Sequence, residues 1–217
     1  MRDRQSTLRR ILDSGIVAVM RARSSEHLIG VADAIRAGGV DCIEVTMTTP
    51  NALSIIEQTA RTFGDDAVIG VGTVLDPESA RAAILAGAQF IVAPTLNLDV
   101  IRMAHRYDKA VIPGAFTPTE ILTAWENGAD LVKVFPAGRL GPEFFRDMQG
   151  PLPQAKLVPT GGVDLTTAED FIRCGAAALC VGTAMTPKDA MASGKLEIVT
   201  DLAAQFVAAV KRARGQA

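Results

Sequence analysis

Along the chain, short runs of β-branched and other apolar residues alternate with longer segments in which apolar positions recur every three to four residues. The first pattern suits a buried strand and the second an amphipathic helix, so their alternation predicts repeated strand–helix units on a parallel sheet. The strand candidates are 16–20, 41–46, 67–73, 90–94, 110–114, 131–135, 156–160 and 178–183. Several are apolar on both alternating faces, as expected when helices cover one side and other side chains fill the opposite one.

Helix starts are marked at Thr49-Pro50, Asp76-Pro77 and Thr117-Pro118, each a capping side chain before a proline at the first helical position. Glu120, three residues after Thr117, completes a capping box. Helix ends are marked by Gly38, Gly87, Gly128 and Gly175, where glycine accepts a left-handed cap just before the next strand. These glycines lie 49, 41 and 47 residues apart, a diffuse repeat of every second unit.

Eight units in 217 residues average about 27 each, near the lower size limit of a (β/α)8 barrel. The sequence therefore predicts a single domain over 1–217: a (β/α)8 TIM barrel with an extra N-terminal helix up to Asp13 and an amphipathic closing helix from Leu196. A doubly wound sheet would need a glycine fingerprint opening its first helix, and Gly70-Val-Gly72-Thr-Val-Leu75 lacks the third glycine.

Composition narrows the function. Lys+Arg number 22 against 24 Asp+Glu, which leaves no basic excess for a nucleic acid or an anionic membrane. The N-terminal ten residues lack the apolar core of a signal peptide, and no stretch approaches a membrane span, so a cytoplasmic protein is expected. Cys42, Cys174 and Cys180 lack CxxC spacing and read as buried reduced thiols. With only His27 and His105, both expected at the surface, a three-histidine metal site is excluded, and metal chemistry would have to rest on carboxylates.

In such a barrel the working residues sit at the C-terminal ends of strands. Lys133 interrupts Leu131-Val132-Lys133-Val134-Phe135, and Glu44 interrupts Cys42-Ile43-Glu44-Val45-Thr46. Burying either without a partner costs several kcal/mol, on the order given by transfer data. Of six lysines against 16 arginines, only Lys133 sits mid-strand among apolar neighbours. That setting disfavours the ammonium form and frees an amine to attack a carbonyl. The alternative is a lysine that carries its ammonium to solvent or forms a structural bridge with Glu44. At other strand ends stand Arg21, Thr46, Thr48, Thr73, Pro94, Thr160, Gly161, Gly162, Gly182 and Thr183. Gly161 and Gly162 read either as an anion cradle or as tight turns, and Arg21 as a clamp for an anionic substrate or half of a surface ion pair.

Glu44-Val-Thr-Met-Thr-Thr, Gly70-Val-Gly-Thr-Val, Gly87-Ala-Gln-Phe-Ile-Val-Ala-Pro94, Lys133-Val-Phe-Pro136 and Pro159-Thr-Gly-Gly162 come in an order and spacing that resemble the 2-keto-3-deoxy-6-phosphogluconate / 4-hydroxy-2-oxoglutarate aldolases over nearly the whole chain. The resemblance implies a metal-independent class I aldolase in a (β/α)8 barrel, assembled as a homotrimer, that cleaves a 2-keto-3-deoxy acid to pyruvate and an aldehyde. It implies Lys133 as the Schiff-base lysine and Glu44 as the general acid/base. It implies Thr73 as a ligand of the pyruvoyl part, Pro94 and Phe135 as the apolar wall beside it, Thr160 as an influence on facial selectivity, and Gly161 and Gly162 as anion-binding backbone.

The chain departs from the family pattern twice. Thr48 stands where many members carry an arginine for the substrate carboxylate, with Arg21 as the candidate replacement. Val181-Gly182-Thr183-Ala-Met replaces the more usual Gly-Gly-Ser/Thr phosphate site. The substrate thus stays open among the gluconate- and galactonate-derived phosphates, an unphosphorylated analogue and 4-hydroxy-2-oxoglutarate. Two rival readings are a phosphate-binding barrel isomerase or epimerase, and a non-catalytic sugar-acid binding protein.

Overall fold

The computed structural model describes residues 3–21 and 28–216. Its strands are β1 (Ile16–Met20), β2 (Cys42–Thr46), β3 (Val68–Gly72), β4 (Phe90–Val92), β5 (Ala110–Ile112), β6 (Gly114–Ala115), β7 (Val132–Val134), β8 (Leu157–Pro159) and β9 (Leu179–Val181). Each strand expected from the sequence begins within one residue of its observed start, except that 110–114 is divided into β5 and β6. Pro113, which has no N–H to give a ladder, stands at the division, and its carbonyl accepts from Lys133 N–H at 2.9 Å.

All strand pairs are parallel, in the orders β5-β4-β3-β2-β1-β9 and β6-β7-β8. The two runs meet twice. One junction is the chain itself at Pro113; the other is a bridge between Thr160 and Cys180, supported by Ala177 N–H donating to Leu157 O at 2.9 Å. The parallel strands therefore form one curled sheet, with the helices that follow them on its outer face.

Alternation along the strands separates two cores. Ile43, Val45, Ile69, Val71, Ile91, Val111, Val132, Val134, Leu179 and Val181 pack outward against the helices. Val17, Val19, Cys42, Val68, Phe90, Val92, Ile112, Val158 and Cys180 pack inward on one another. Leu8, Ile11 and Leu12 of α1 (Arg4–Ser14) join the inward set. The long closing helix α10 (Leu196–Ala213) packs between α2 (Leu28–Ala37) and α8 (Ala168–Arg173), and Thr200 Oγ1 donates to Ala34 O at 3.0 Å.

Two of the three expected helix starts are realised. Asp76 accepts from Ser79 N–H at 2.6 Å ahead of α4 (Pro77–Leu85), and Thr117 with Glu120 forms the capping box of α6 (Pro118–Glu126). The third is corrected. α3 (Ala52–Phe63) starts two residues beyond Pro50, after Asn51 in a left-handed conformation, because Thr49 is turned inward and its hydroxyl meets Thr46 Oγ1 at 3.3 Å. Gly87, Gly128 and Gly175 take the expected positive φ, but Gly39 rather than Gly38 does so at the first site. Gly38 instead lies against α10, where a Cβ would stand 2.5 Å from Ala203 Cβ.

The three cysteines are buried, as expected. His105 is not at the surface: it is half-buried against Gly128, its Nε2 is sealed without a partner, and desolvation, then the charge of Arg4, lowers its pKa. His27 lies outside the described residues. Among the described residues, no helix is long and apolar enough to cross a membrane.

Candidate active site

Neighbours on each strand fix which way the two charged residues point. Ile43 and Val45 face the helices, so Glu44 faces inward with Cys42. Val132 and Val134 face the helices, so Lys133 also faces inward. Both are buried: Lys133 is 5% exposed and Glu44 1%. Lys109, at the start of β5, is buried as well, so burial alone does not single out Lys133.

Neither carboxylate oxygen of Glu44 has a hydrogen-bond partner, so the structural bridge with Lys133 is not formed. Burial raises the Glu44 pKa above its ordinary 4.5, while the positive charges of Lys133 and Arg21 pull it back down. Lys133 Nζ stands 5.2 Å from the centre of the Phe135 ring, within cation–π range. Beneath them, burial and then the negative charge of Glu44 push the Cys180 thiol up to about 12. Thr160, paired with Cys180, is 8% exposed, and its Oγ1 has no oxygen or nitrogen partner, only the Cys180 thiol, whose pKa it draws back down. A buried polar group without a partner is rare and points to a water, a ligand or a catalytic role.

The remaining candidates frame this centre. Thr73, directly after β3, has φ 60°, a strained value for a β-branched residue. Phe135 is 39% exposed, and its ring lies against Gly161, where a Cβ would meet it at 3.2 Å. A Cβ at Gly162 would meet Gly138 Cα at 2.7 Å. Both glycines have positive φ, so close packing and backbone conformation already account for them. Pro94 is half-buried, and its carbonyl lies over Gly114. Thr48 is exposed and engages Thr46 Oγ1 at 3.1 Å. Gly182 O accepts from Met185 N–H and Thr186 N–H, which folds the Gly182–Thr183 segment into a turn. Arg21 is exposed at the end of β1, within electrostatic reach of Glu44.

Contacts and charge thus bring together Lys133, Glu44, Arg21, Phe135, Thr160 and Gly161, whereas Thr48 engages Thr46, Pro94 lies over Gly114, Gly182 neighbours Val19, and Thr183 is exposed. Two residues at this centre escaped sequence reasoning: Gly72, beside the Glu44 carboxylate, and Cys180. Their signal was positional, since each occupies an inward place near a strand end. Among the described residues, no group of three His, Cys, Asp or Glu is placed to hold a metal ion. A surface cavity lined by Glu57, Arg61, Leu85 and Gln89 opens beside the start of β4, away from these groups.

The family model for KDPG and KHG aldolase matches residues 8–202. The chain is 32% identical to the 2-dehydro-3-deoxy-6-phosphogalactonate aldolase of Escherichia coli K12 over 91% of this chain and 95% of that one. It is 31% identical to the KHG/KDPG aldolase of the same organism over 97% and 100%. Among solved structures, native KDPGal aligns with TM-score 0.86 at 30% identity, covering 92% of this chain and 96% of that one. A KDPG aldolase from Legionella pneumophila, with pyruvate captured as a covalent carbinolamine, aligns with TM-score 0.86 at 27% identity over 92% and 97%. With a buried amine and a buried carboxyl that both face the inside of a curled parallel sheet, and with matches over nearly its full length, the chain belongs to the KDPG and KHG aldolase family.

Proposed function

We propose that Lys133 is the Schiff-base nucleophile and Glu44 the proton shuttle of a class I aldolase that cleaves a 2-keto-3-deoxy acid to pyruvate and an aldehyde. The observation that carries the assignment is the Glu44 carboxyl: buried, without a hydrogen-bond partner, and on the same inward face as Lys133. A fold gains nothing from such a group, whereas proton transfer does.

The chemistry follows from the placement. The Lys133 amine adds to the C2 ketone and water leaves, giving an iminium that accepts the electron pair of the C3–C4 bond as that bond breaks. Glu44, ionised at the start, takes the C4 hydroxyl proton as the aldehyde departs and returns a proton to C3 of the enamine; hydrolysis then frees pyruvate. The Phe135 ring walls the planar pyruvoyl unit on one side and Pro94 on another. Thr73 and Arg21, with Thr48, hold its carboxylate. Thr160 lends its hydroxyl to the aldehyde oxygen. Gly161, Gly162, Gly182 and Thr183 line the place of the distal anionic end. The reaction as assigned needs no metal and no cofactor.

The wider setting belongs to the same reading. The curled sheet closes as an eight-stranded barrel, β5 and β6 counting as one strand, and α1 covers the end opposite the site. The protein works in the cytoplasm as a homotrimer. Support for a symmetric assembly comes from a protein cage designed by fusing symmetric oligomeric domains, one chain of which aligns over 93% of this chain at 30% identity. Pyruvate release from a panel of the gluconate- and galactonate-derived 2-keto-3-deoxy phosphates, their unphosphorylated analogues and 4-hydroxy-2-oxoglutarate tests the activity. Release from at least one is expected, and none from the whole panel overturns the assignment.

A further inference from the structure

We infer that Gly72 is a positioning residue for Glu44: its missing side chain is the slot in which the carboxylate lies. The inference rests on the assignment of Glu44 as proton shuttle. The inward places on β3 are Val68, Gly70 and Gly72. Glycine inside a strand is destabilising relative to alanine, so two in succession on one face need a reason. Backbone conformation is not the reason, because neither has a positive φ.

Space is the reason, and it differs at the two sites. A Cβ at Gly70 would lie 2.4 Å from three atoms of the Phe90 ring. A Cβ at Gly72 would lie 1.6 Å from Glu44 Oε1, 2.3 Å from Cδ and 2.7 Å from Cγ. Gly70 admits a core ring; Gly72 admits the acid. Glu44 is paired in register with Gly70, so its side chain leans along the strand direction by one inward place to lie over Gly72. Neither of its oxygens accepts a hydrogen bond, so no donor fixes the carboxylate. The bare backbone of Gly72 is the surface that locates it, directly before the strained turn at Thr73.

The two glycines therefore predict different failures. Phe90 is fully buried and has nowhere to go, so Gly70→Ala costs folding. What meets a Cβ at position 72 is the far end of a flexible side chain, so Gly72→Ala folds but pushes the carboxylate out of place.

Proton exchange at the methyl group of pyruvate isolates the effect, since it needs no aldehyde. Lys133 and pyruvate lose water to form the iminium, Glu44 takes a C3 proton to leave the enamine, and in D2O a deuteron returns. For Gly72→Ala the exchange rate is expected to fall about 100-fold with KM for pyruvate changed less than about threefold, and borohydride still traps pyruvate on Lys133. In the Glu44→Ala background, adding Gly72→Ala changes the residual rate less than about twofold, because the residue it acts through is gone. Wild-type exchange in Gly72→Ala overturns the inference, as does an equal loss on top of Glu44→Ala. Wild-type exchange in Glu44→Ala alone instead removes the assignment of Glu44, and the inference with it. Should Gly72→Ala fail to fold alone yet fold together with Glu44→Ala, the clash is identified and the inference stands; failure in both backgrounds overturns it.

Discussion

Near the strand starts, Arg4 Nε meets Asp130 Oδ1 at 2.7 Å, the other oxygen of Asp130 accepts from Val111 N–H at 2.9 Å, and a second Arg4 nitrogen donates to Gly128 O. At the strand ends, Glu44 is more deeply buried than Arg4 and its carboxylate has no donor at all. Both regions hold carboxylates against a parallel sheet, yet only the first is arranged as a contribution to stability. Asp130 is part of how the chain folds. Glu44 is kept in a place that a fold selected for stability alone would fill with an apolar residue, and the same holds for Lys133 and for the Thr160 hydroxyl.

That contrast can be broken or sharpened by substitution at each end. Lys133→Met keeps the length of the side chain and removes the proposed nucleophile; pyruvate release is expected to fall by about 1,000-fold or more, while thermal denaturation is expected to show no loss of stability. Glu44→Gln is expected to lower the rate about 100-fold or more and to raise stability by about 1–3 kcal/mol, because the buried charge is gone. The gain depends on pH. The Glu44 pKa is raised in the folded protein, so the carboxyl adds no penalty below its ordinary 4.5 and destabilises as pH climbs through the raised value. Denaturant melts of wild type and Glu44→Gln should coincide at low pH and diverge upward for the variant, and a gap that closes with rising pH would reverse the account. Thr160→Val, which replaces a hydroxyl whose one neighbour in the protein is the weakly bonding Cys180 thiol, should leave the melting temperature nearly in place and cost about tenfold in rate, one hydrogen bond to the reacting substrate. At the other end the signs invert. Arg4→Ala should lose about 1–2 kcal/mol of stability and leave the rate per folded molecule unchanged.

Much of the fold was legible because it depends on local patterns: each apolar run begins its strand within one residue, and Asp76-Pro77 and Thr117-Pro118 open their helices. The misses come from tertiary competition. Thr49 has the chemistry of a cap, but the interior takes its hydroxyl to Thr46; Gly38 has the look of a left-handed cap, but α10 needs its bare Cα. Lys133 and Glu44 were legible because a charge inside an apolar run stands out. Gly72 was not, because a glycine that makes room for a distant side chain looks in sequence like one that makes a turn. Cys180 reads as core and is core; its inward place near a strand end is the one trace in the sequence of the acid that lies above it.

The central claim is that one buried amine bonds covalently to a keto acid, and reduction of that bond tests it most directly. The protein incubated with pyruvate and borohydride, then digested and weighed, should carry one reduced pyruvoyl unit on the peptide containing Lys133, with activity lost in proportion. An unchanged mass on that peptide, or the unit found on another lysine, would contradict the account.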